Sequence, residues 1–191
     1  MAADKAKPEK LPLNFAGKSR TYYVFVPPTA SQSAPTLLLL HGSGHNGMSL
    51  IDPWKDLAAK EGIILIAPDA SDSSQWNQAA DGPDFIHAVV EAAKSKYPID
   101  PRRVYLFGHS AGAVYALYLS AIQSEYFAAT AIHAGALMPG DLPVEALIPL
   151  PPEVAKTGNR TRPIAQQVRQ RPSTRSVAWR KCHLFVPLGT S

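Results

Sequence analysis

Short apolar runs recur along the chain, separated by stretches with a helical apolar period. Tyr22–Val26, Leu37–Leu40, Ile63–Ala67, Val104–Phe107 and Ala128–His133 are almost free of polar residues. Uninterrupted runs of this length suit strands buried on both faces, as in a parallel sheet, rather than strands with one wet face. Pro27-Pro28 stops the first run. Asp52-Pro53-Trp54 predicts a helix start, with Asp52 as N-cap and Pro53 in the first helical position, and Gly62 ends it. Ile86, Val89, Val90 and Ala93 share one face of a second helix, which must end near Tyr97 because Pro98 disfavours helical geometry before it. Ala113 to Ile122 predicts a third. Strands alternating with helices imply βαβ units and a single sheet covered on both sides. Residues 68–83, rich in Pro, Asp, Ser and Asn, read as loop, and there are no internal repeats.

From Met138 the regularity fails. Six prolines between Pro139 and Pro163 break the chain into loop, Pro163–Val168 offers one more strand, and only Leu184-Phe185-Val186 stands out after it. The expected organisation is a disordered arm over 1–13, an incomplete α/β domain over 14–165 and an irregular basic tail over 166–191. Charge marks the same break: residues 154–191 carry eight Lys or Arg and no acid, whereas residues 1–153 carry 11 Lys or Arg and 15 Asp or Glu. The tail arginines are irregularly spaced and lack interleaved aromatics, so nucleic acid is not an expected partner. A charged N-terminus without an apolar core, and no run long enough to span a bilayer, point to a cytoplasmic protein with no membrane partner. The single Cys182 excludes an intramolecular disulfide and reads as inert. Nothing in the sequence sets an oligomeric state.

The chemistry is concentrated in Gly108-His109-Ser110-Ala111-Gly112. An apolar strand leads in and an apolar helix leads out, with Ser110 at the apex and glycine two residues away on each side. A nucleophile elbow needs this pattern, because the turn is strained and side chains at the flanking positions would strike the neighbouring strand or helix. The hydroxyl then sits at a helix N-terminus, where backbone N–H groups favour a developing oxyanion. An ordinary small-residue turn would give the same five letters, but a second motif supports the elbow. Leu37–Leu40 runs into His41-Gly42-Ser43-Gly44-His45-Asn46-Gly47, whose glycines leave backbone N–H groups free to turn inward. His41 and His45 lie four apart in a loop rather than on a helix, so no metal site is expected, and no cofactor. Trp54, Trp76 and Tyr115 read either as pocket lining or, more commonly for such residues, as core.

Residues 14 to about 165 resemble the small serine esterases of the polyhydroxybutyrate-depolymerase-like and feruloyl-esterase-like branch of the α/β hydrolases. The resemblance is carried by Tyr22–Pro27, Leu40-His41-Gly42, Ala67-Pro68-Asp69 and the block from Asp84 to Gly112, above all Tyr97–Tyr105 leading into the Ser110 turn. It implies a three-layer α/β-hydrolase fold with a mostly parallel sheet whose C-terminal strands and helices are incomplete. It further implies Ser110 as nucleophile, the backbone N–H groups of Ser43 and Ala111 as oxyanion donors, and a small-molecule ester as substrate. Asp69, Asp84 and Asp100 look like framework positions.

The rest of the family triad is missing from its usual places. An Asp follows a later strand in the family, yet no acid occurs after Glu153. His133, His183 and Asp141 remain as weak candidates for base or acid, none in a triad-like setting. The expected reading is therefore a carboxylic-ester hydrolase by descent with impaired catalysis, the alternative being a non-catalytic binding protein on the same fold. The tail reads as hydrolase coding sequence shifted out of frame between Ala165 and Arg169. Arg169-Gln170-Arg171-Pro172 can be encoded so that dropping one base yields Gly, then Asn or Ser, then Asp. The nucleotide sequence checks this: the shifted frame should carry that Asp and a downstream His codon. A shifted frame without the Asp, or with a stop before the His, refutes it.

Overall fold

In the computed structural model, residues 6–136 and 183–185 are described. Seven strands form one sheet in the order β1-β2-β4-β3-β5-β6-β7. They are β1 (Glu9–Phe15), β2 (Lys18–Phe25), β3 (Ala34–Leu40), β4 (Ile64–Pro68), β5 (Ile99–His109), β6 (Ala129–His133) and β7 (His183–Phe185). The helices are α1 (Met48–Glu61), α2 (Pro83–Lys94) and α3 (Ala111–Ile122). β4, β3, β5 and β6 run parallel, while β1, β2 and β7 join antiparallel at the edges. The five short apolar runs from Tyr22–Val26 to Ala128–His133 each fall in a strand, to within a residue at the ends.

The parallel strands alternate between two cores, as the period of two demands. Leu38, Leu40, Ile64, Ile66, Val104, Leu106 and Ile132 pack against α2 and α3. Leu39, Leu65, Ala67 and Phe107 pack against Leu50, Ile51 and Ala58 of α1. Both faces are thus covered, which is why these strands read as unbroken apolar runs.

Three expectations need correction. Residues 9–13 are not part of a disordered arm: Glu9–Phe15 pairs with β2 from Glu9↔Val24 to Phe15↔Lys18. Leu11, Leu13 and Phe15 alternate with Pro12 and Asn14 and rest on the core, and Phe15 meets Phe85 at 5.5 Å. The hairpin turns at Ala16 and Gly17, both with positive φ, as its two-residue turn requires. Pro12 is tolerated because β1 is an edge strand. Second, α1 starts at Met48 rather than at Asp52, and Pro53 lies inside it. Burial of Leu50 and Ile51 recruits the extra turn, and its first N–H groups find Asn46 and Asp69 instead of Asp52. Asp52 pairs with Lys55 on the surface. Third, the tail is not wholly irregular, since His183–Phe185 extends the sheet beside β6. Pro163–Val168, Asp141, Cys182 and the region of the frame argument lie outside the described residues.

β3, β5 and α3 approach most closely at two glycines. A Cβ on Gly112 would stand 2.0 Å from the Leu40 carbonyl oxygen, and one on Gly108 would stand 2.1 Å from the Gly112 carbonyl oxygen. Both obstacles are backbone, which cannot move aside without shifting a central strand. Gly112→Ala should therefore cost about 3 kcal/mol or more of stability, at or above the upper range for overpacking. Urea unfolding of the variant checks this, and a loss under about 1 kcal/mol would contradict the packing described.

Candidate active site

β5 delivers Ser110 to the C-terminal end of the parallel strands and α3 begins immediately after it. Ser110 has φ 54° and ψ −117°. A positive φ is rare for a residue with a Cβ, and this one is held by contacts on both sides. Its N–H donates to the His133 carbonyl at 2.9 Å, and its carbonyl accepts from Ala113 and Val114. The turn presents the Ser110 side chain towards the loop that follows β3: a Cβ built on Gly42 would lie 3.2 Å from the Ser110 Cβ. Ala111 opens the helix, where the first N–H groups have no intrahelical acceptor. Ser43 is exposed beside buried Gly42.

His41 anchors that loop from beneath. It is 1% exposed, its Nε2 accepts the Ala70 N–H at 3.1 Å, and its Nδ1 lies 2.9 Å from the Gly42 carbonyl oxygen. Nε2 is the acceptor, so Nδ1 carries the proton and donates to Gly42, and the imidazole is neutral. Burial, the largest influence, lowers its pKa accordingly. With both nitrogens engaged, His41 is no metal ligand. Holding the Gly42 carbonyl fixes the Gly42–Ser43 peptide plane and so the direction of the Ser43 N–H.

The loop between β4 and α2 forms the next layer. Trp76 donates its Nε1–H to the His41 carbonyl at 2.9 Å and lies between His41 and Tyr115, stacking on the latter at 5.2 Å. The fully buried Asp81 organises this loop. It accepts hydrogen bonds from Arg20 (2.6 Å), from the Ser71 N–H and hydroxyl, and from the Asn77 N–H, and its carbonyl takes the Tyr115 hydroxyl. Arg20 is further held by the Asp69 and Ala80 carbonyls and lies over the Phe85 ring. Asp69 accepts the Gly47 N–H, and the pKa of the Asp100 carboxyl is lowered from its ordinary value by Arg103 and the Arg102 N–H. Asp84 is exposed in the first turn of α2, where it complements the helix dipole. Trp76 and Tyr115 are packing residues, whereas Trp54 both packs on Phe107 and borders a cavity.

That cavity, about 300 Å³, is lined by Gly42, His45, Ser49, Leu50, Trp54, Phe107, His133 and His109, the residue before Ser110. The His109 and His133 rings stack at 5.0 Å with their Nδ1 atoms 2.9 Å apart. Among His41, His45, His87, His109 and His133 none is hydrogen-bonded to a carboxylate, and no group of three or more His, Cys, Asp or Glu among the described residues is arranged to hold a metal. β7 brings His183 to the register position opposite Ile132, next to His133. Asp141 falls outside the described residues. Asp81 gives no sequence signal within its polar loop. His133 is named from the sequence as a base or acid candidate, but its pairing with His109 is not, since it follows from the adjacency of the two strands that these residues close.

Comparison with known proteins agrees with this architecture. The chain is 30% identical over 103 residues to a bifunctional acetylxylan esterase/xylanase of Neocallimastix patriciarum, covering 52% of this chain and 15% of that protein. It is 28% identical over 132 residues to a poly(3-hydroxybutyrate) depolymerase of Ralstonia pickettii, covering 57% and 27%. It thus spans well under two thirds of either relative. The solved structure of FphF, a fluorophosphonate-binding serine hydrolase of Staphylococcus aureus, superposes with a TM-score of 0.58 at 19% identity, covering 66% of this chain and 56% of that one. That likeness shows the fold. No helix among the described residues is long and apolar enough to cross a membrane. The sequence profile of the alpha/beta hydrolase family matches residues 37–187, and the chain belongs to that family.

Proposed function

We propose that the chain is a serine-type carboxylic-ester hydrolase by descent, acting through Ser110. The observation that carries this reading is the strained Ser110 backbone at the β5–α3 turn, pressed against Gly42. Strain at a non-glycine residue persists only where the surrounding packing over-determines it, and such residues cluster at functional sites. Its use is to project the hydroxyl ahead of the α3 N–H groups. In the proposed reaction the Ser110 Oγ attacks an ester carbonyl, and the carbonyl oxygen takes the charge beside the Ala111 and Ser43 N–H groups. Collapse expels the alcohol and leaves an acyl-enzyme, which water cleaves to the acid. The names of the relatives, an acetylxylan esterase and a poly(3-hydroxybutyrate) depolymerase, support an ester as substrate.

Proton transfer is the weak step. The Ser110 proton needs an acceptor and the leaving alcohol needs a donor. The described residues offer no histidine–carboxylate pair for this, so turnover should be slow. A serine hydrolase deprived of its base loses about 10⁶ in turnover, while the oxyanion hole and binding retain roughly 10³–10⁴ over water. A fluorophosphonate probe should add one covalent label, seen by intact mass and mapped to Ser110, and Ser110→Ala should abolish it. Turnover of a short activated ester should stay near that residual level. No label at Ser110 would refute the nucleophile, and robust turnover that Ser110→Ala eliminates would refute the impairment.

A further inference from the structure

We propose that His109 and His133 form a clamp on the Ser110 turn, joined by one proton shared between their Nδ1 atoms, that opens when both rings are protonated. The inference rests on the reading of Ser110 as nucleophile only for its effect on reactivity. The clamp itself stands on geometry.

The end of β6 grips the turn through backbone and side chain together. The His133 carbonyl accepts the Ser110 N–H at 2.9 Å. Ala134 then adopts a positive φ of 58°, which folds the chain back onto the turn. Gly135 follows, where a Cβ would stand 2.4 Å from the Ala113 Cβ and 3.0 Å from the Ser110 carbonyl oxygen. In the sheet, His109 and His133 are direct register partners, so their side chains lie on the same face. Their Nδ1···Nδ1 separation of 2.9 Å is hydrogen-bonding distance. His109 is the residue before Ser110, and a Cβ on Gly42 would lie 3.3 Å from its Cδ2. The His109 ring therefore stands between the loop after β3 and the end of β6, and fixing it braces the turn from both sides.

Two imidazoles joined through Nδ1 obey a strict proton count. One Nδ1 must carry a hydrogen and the other must offer a lone pair. A neutral pair satisfies this with opposite tautomers. A singly protonated pair satisfies it better, since the donor is then charged. A doubly protonated pair cannot, because two N–H groups face each other and two cations are in contact. The second proton therefore breaks the clamp, and the first cation delays that proton to acid pH.

Among the described residues that line the cavity with the pair, none is a carboxylate. Across the cavity α1 presents Ser49, Leu50 and Trp54, and β5 presents Phe107, none of which titrates near neutrality. The loop after β3 presents His45, another imidazole, and β7 places His183 opposite Ile132. Burial first, then His133 and His45, hold His109 below the ordinary imidazole value. The clamp is thus closed at neutral pH and opens as the pH falls below that range.

The test uses the full chain in two independent measurements. Long-range ¹⁵N–¹H NMR of the histidine rings should show opposite tautomers for His109 and His133 at neutral pH, and a second protonation displaced well below about 6.5. Two rings titrating independently at the ordinary value would overturn the clamp. Fluorophosphonate labelling of Ser110 is then followed against pH. The native rate should fall about tenfold per pH unit once the second proton binds. In His133→Asn the amide oxygen can accept from His109 in either charge state, so this acid limb should flatten whatever the absolute rate. In His133→Phe, which keeps a ring but no acceptor, labelling should be slow at every pH while the melting temperature shows the fold intact. An unchanged acid limb in His133→Asn, or native labelling in His133→Phe, would overturn the proposal. Absence of labelling at any pH in the native chain would instead reject Ser110 as nucleophile, and the NMR titration would still decide the clamp.

Discussion

The structure depends on one close approach, where the backbones of β3, β5 and the first turn of α3 meet without intervening side chains. Gly108 and Gly112 make it possible, with virtual Cβ positions 2.0–2.1 Å from carbonyl oxygens of neighbouring segments. The approach sets the pitch at which α3 leaves the sheet. It also forces the connecting residue, Ser110, into a backbone conformation that its Cβ disfavours. The strain is sustained by the two apolar cores on either side of the sheet, which fix β5 and α3 independently of the turn. The placement of the Ser110 side chain is thus a product of packing far larger than the turn itself.

Around this approach the polar residues form a second frame. His41 spends both ring nitrogens on backbone, and Asp81 collects hydrogen bonds from Arg20, Ser71 and Asn77 without being exposed. Trp76 bonds the His41 carbonyl and stacks on Tyr115, whose hydroxyl bonds the Asp81 carbonyl. A buried charge such as Asp81 is tolerable only when its acceptor sites are filled, and removal of Arg20 would leave it uncompensated. Contacts run from Arg20 through Asp81, Tyr115 and Trp76 to His41, and so connect β2 to the Gly42–Ser43 peptide. The fixed direction of one N–H group thereby depends on residues more than 20 positions away in either direction.

Much of this was legible in the sequence because burial on both faces leaves a plain record. Leu37–Leu40 and Ile63–Ala67 are unbroken because no face of them meets water, and Gly108 and Gly112 are spaced by the steric demands of the turn. β1 was missed because an edge strand touches the core with only Leu11, Leu13 and Phe15, an alternation weakened by Pro12 and by flanking charge. The start of α1 was misplaced because Asp52-Pro53 is a strong local signal, overridden by burial of Leu50 and Ile51. Local preference loses when a helix can bury two more large side chains. Asp81 and the His109–His133 pair are contacts between segments, and no local pattern encodes them.

The proposed oxyanion site of Ala111 and Ser43 is tested by a crystal structure of the chain with a phosphonate bonded to Ser110. The phosphoryl oxygen should lie about 3 Å from both the Ala111 and Ser43 nitrogens, with Ser110 still at positive φ. A phosphoryl oxygen turned to solvent, or a turn that relaxes to negative φ on modification, would contradict it.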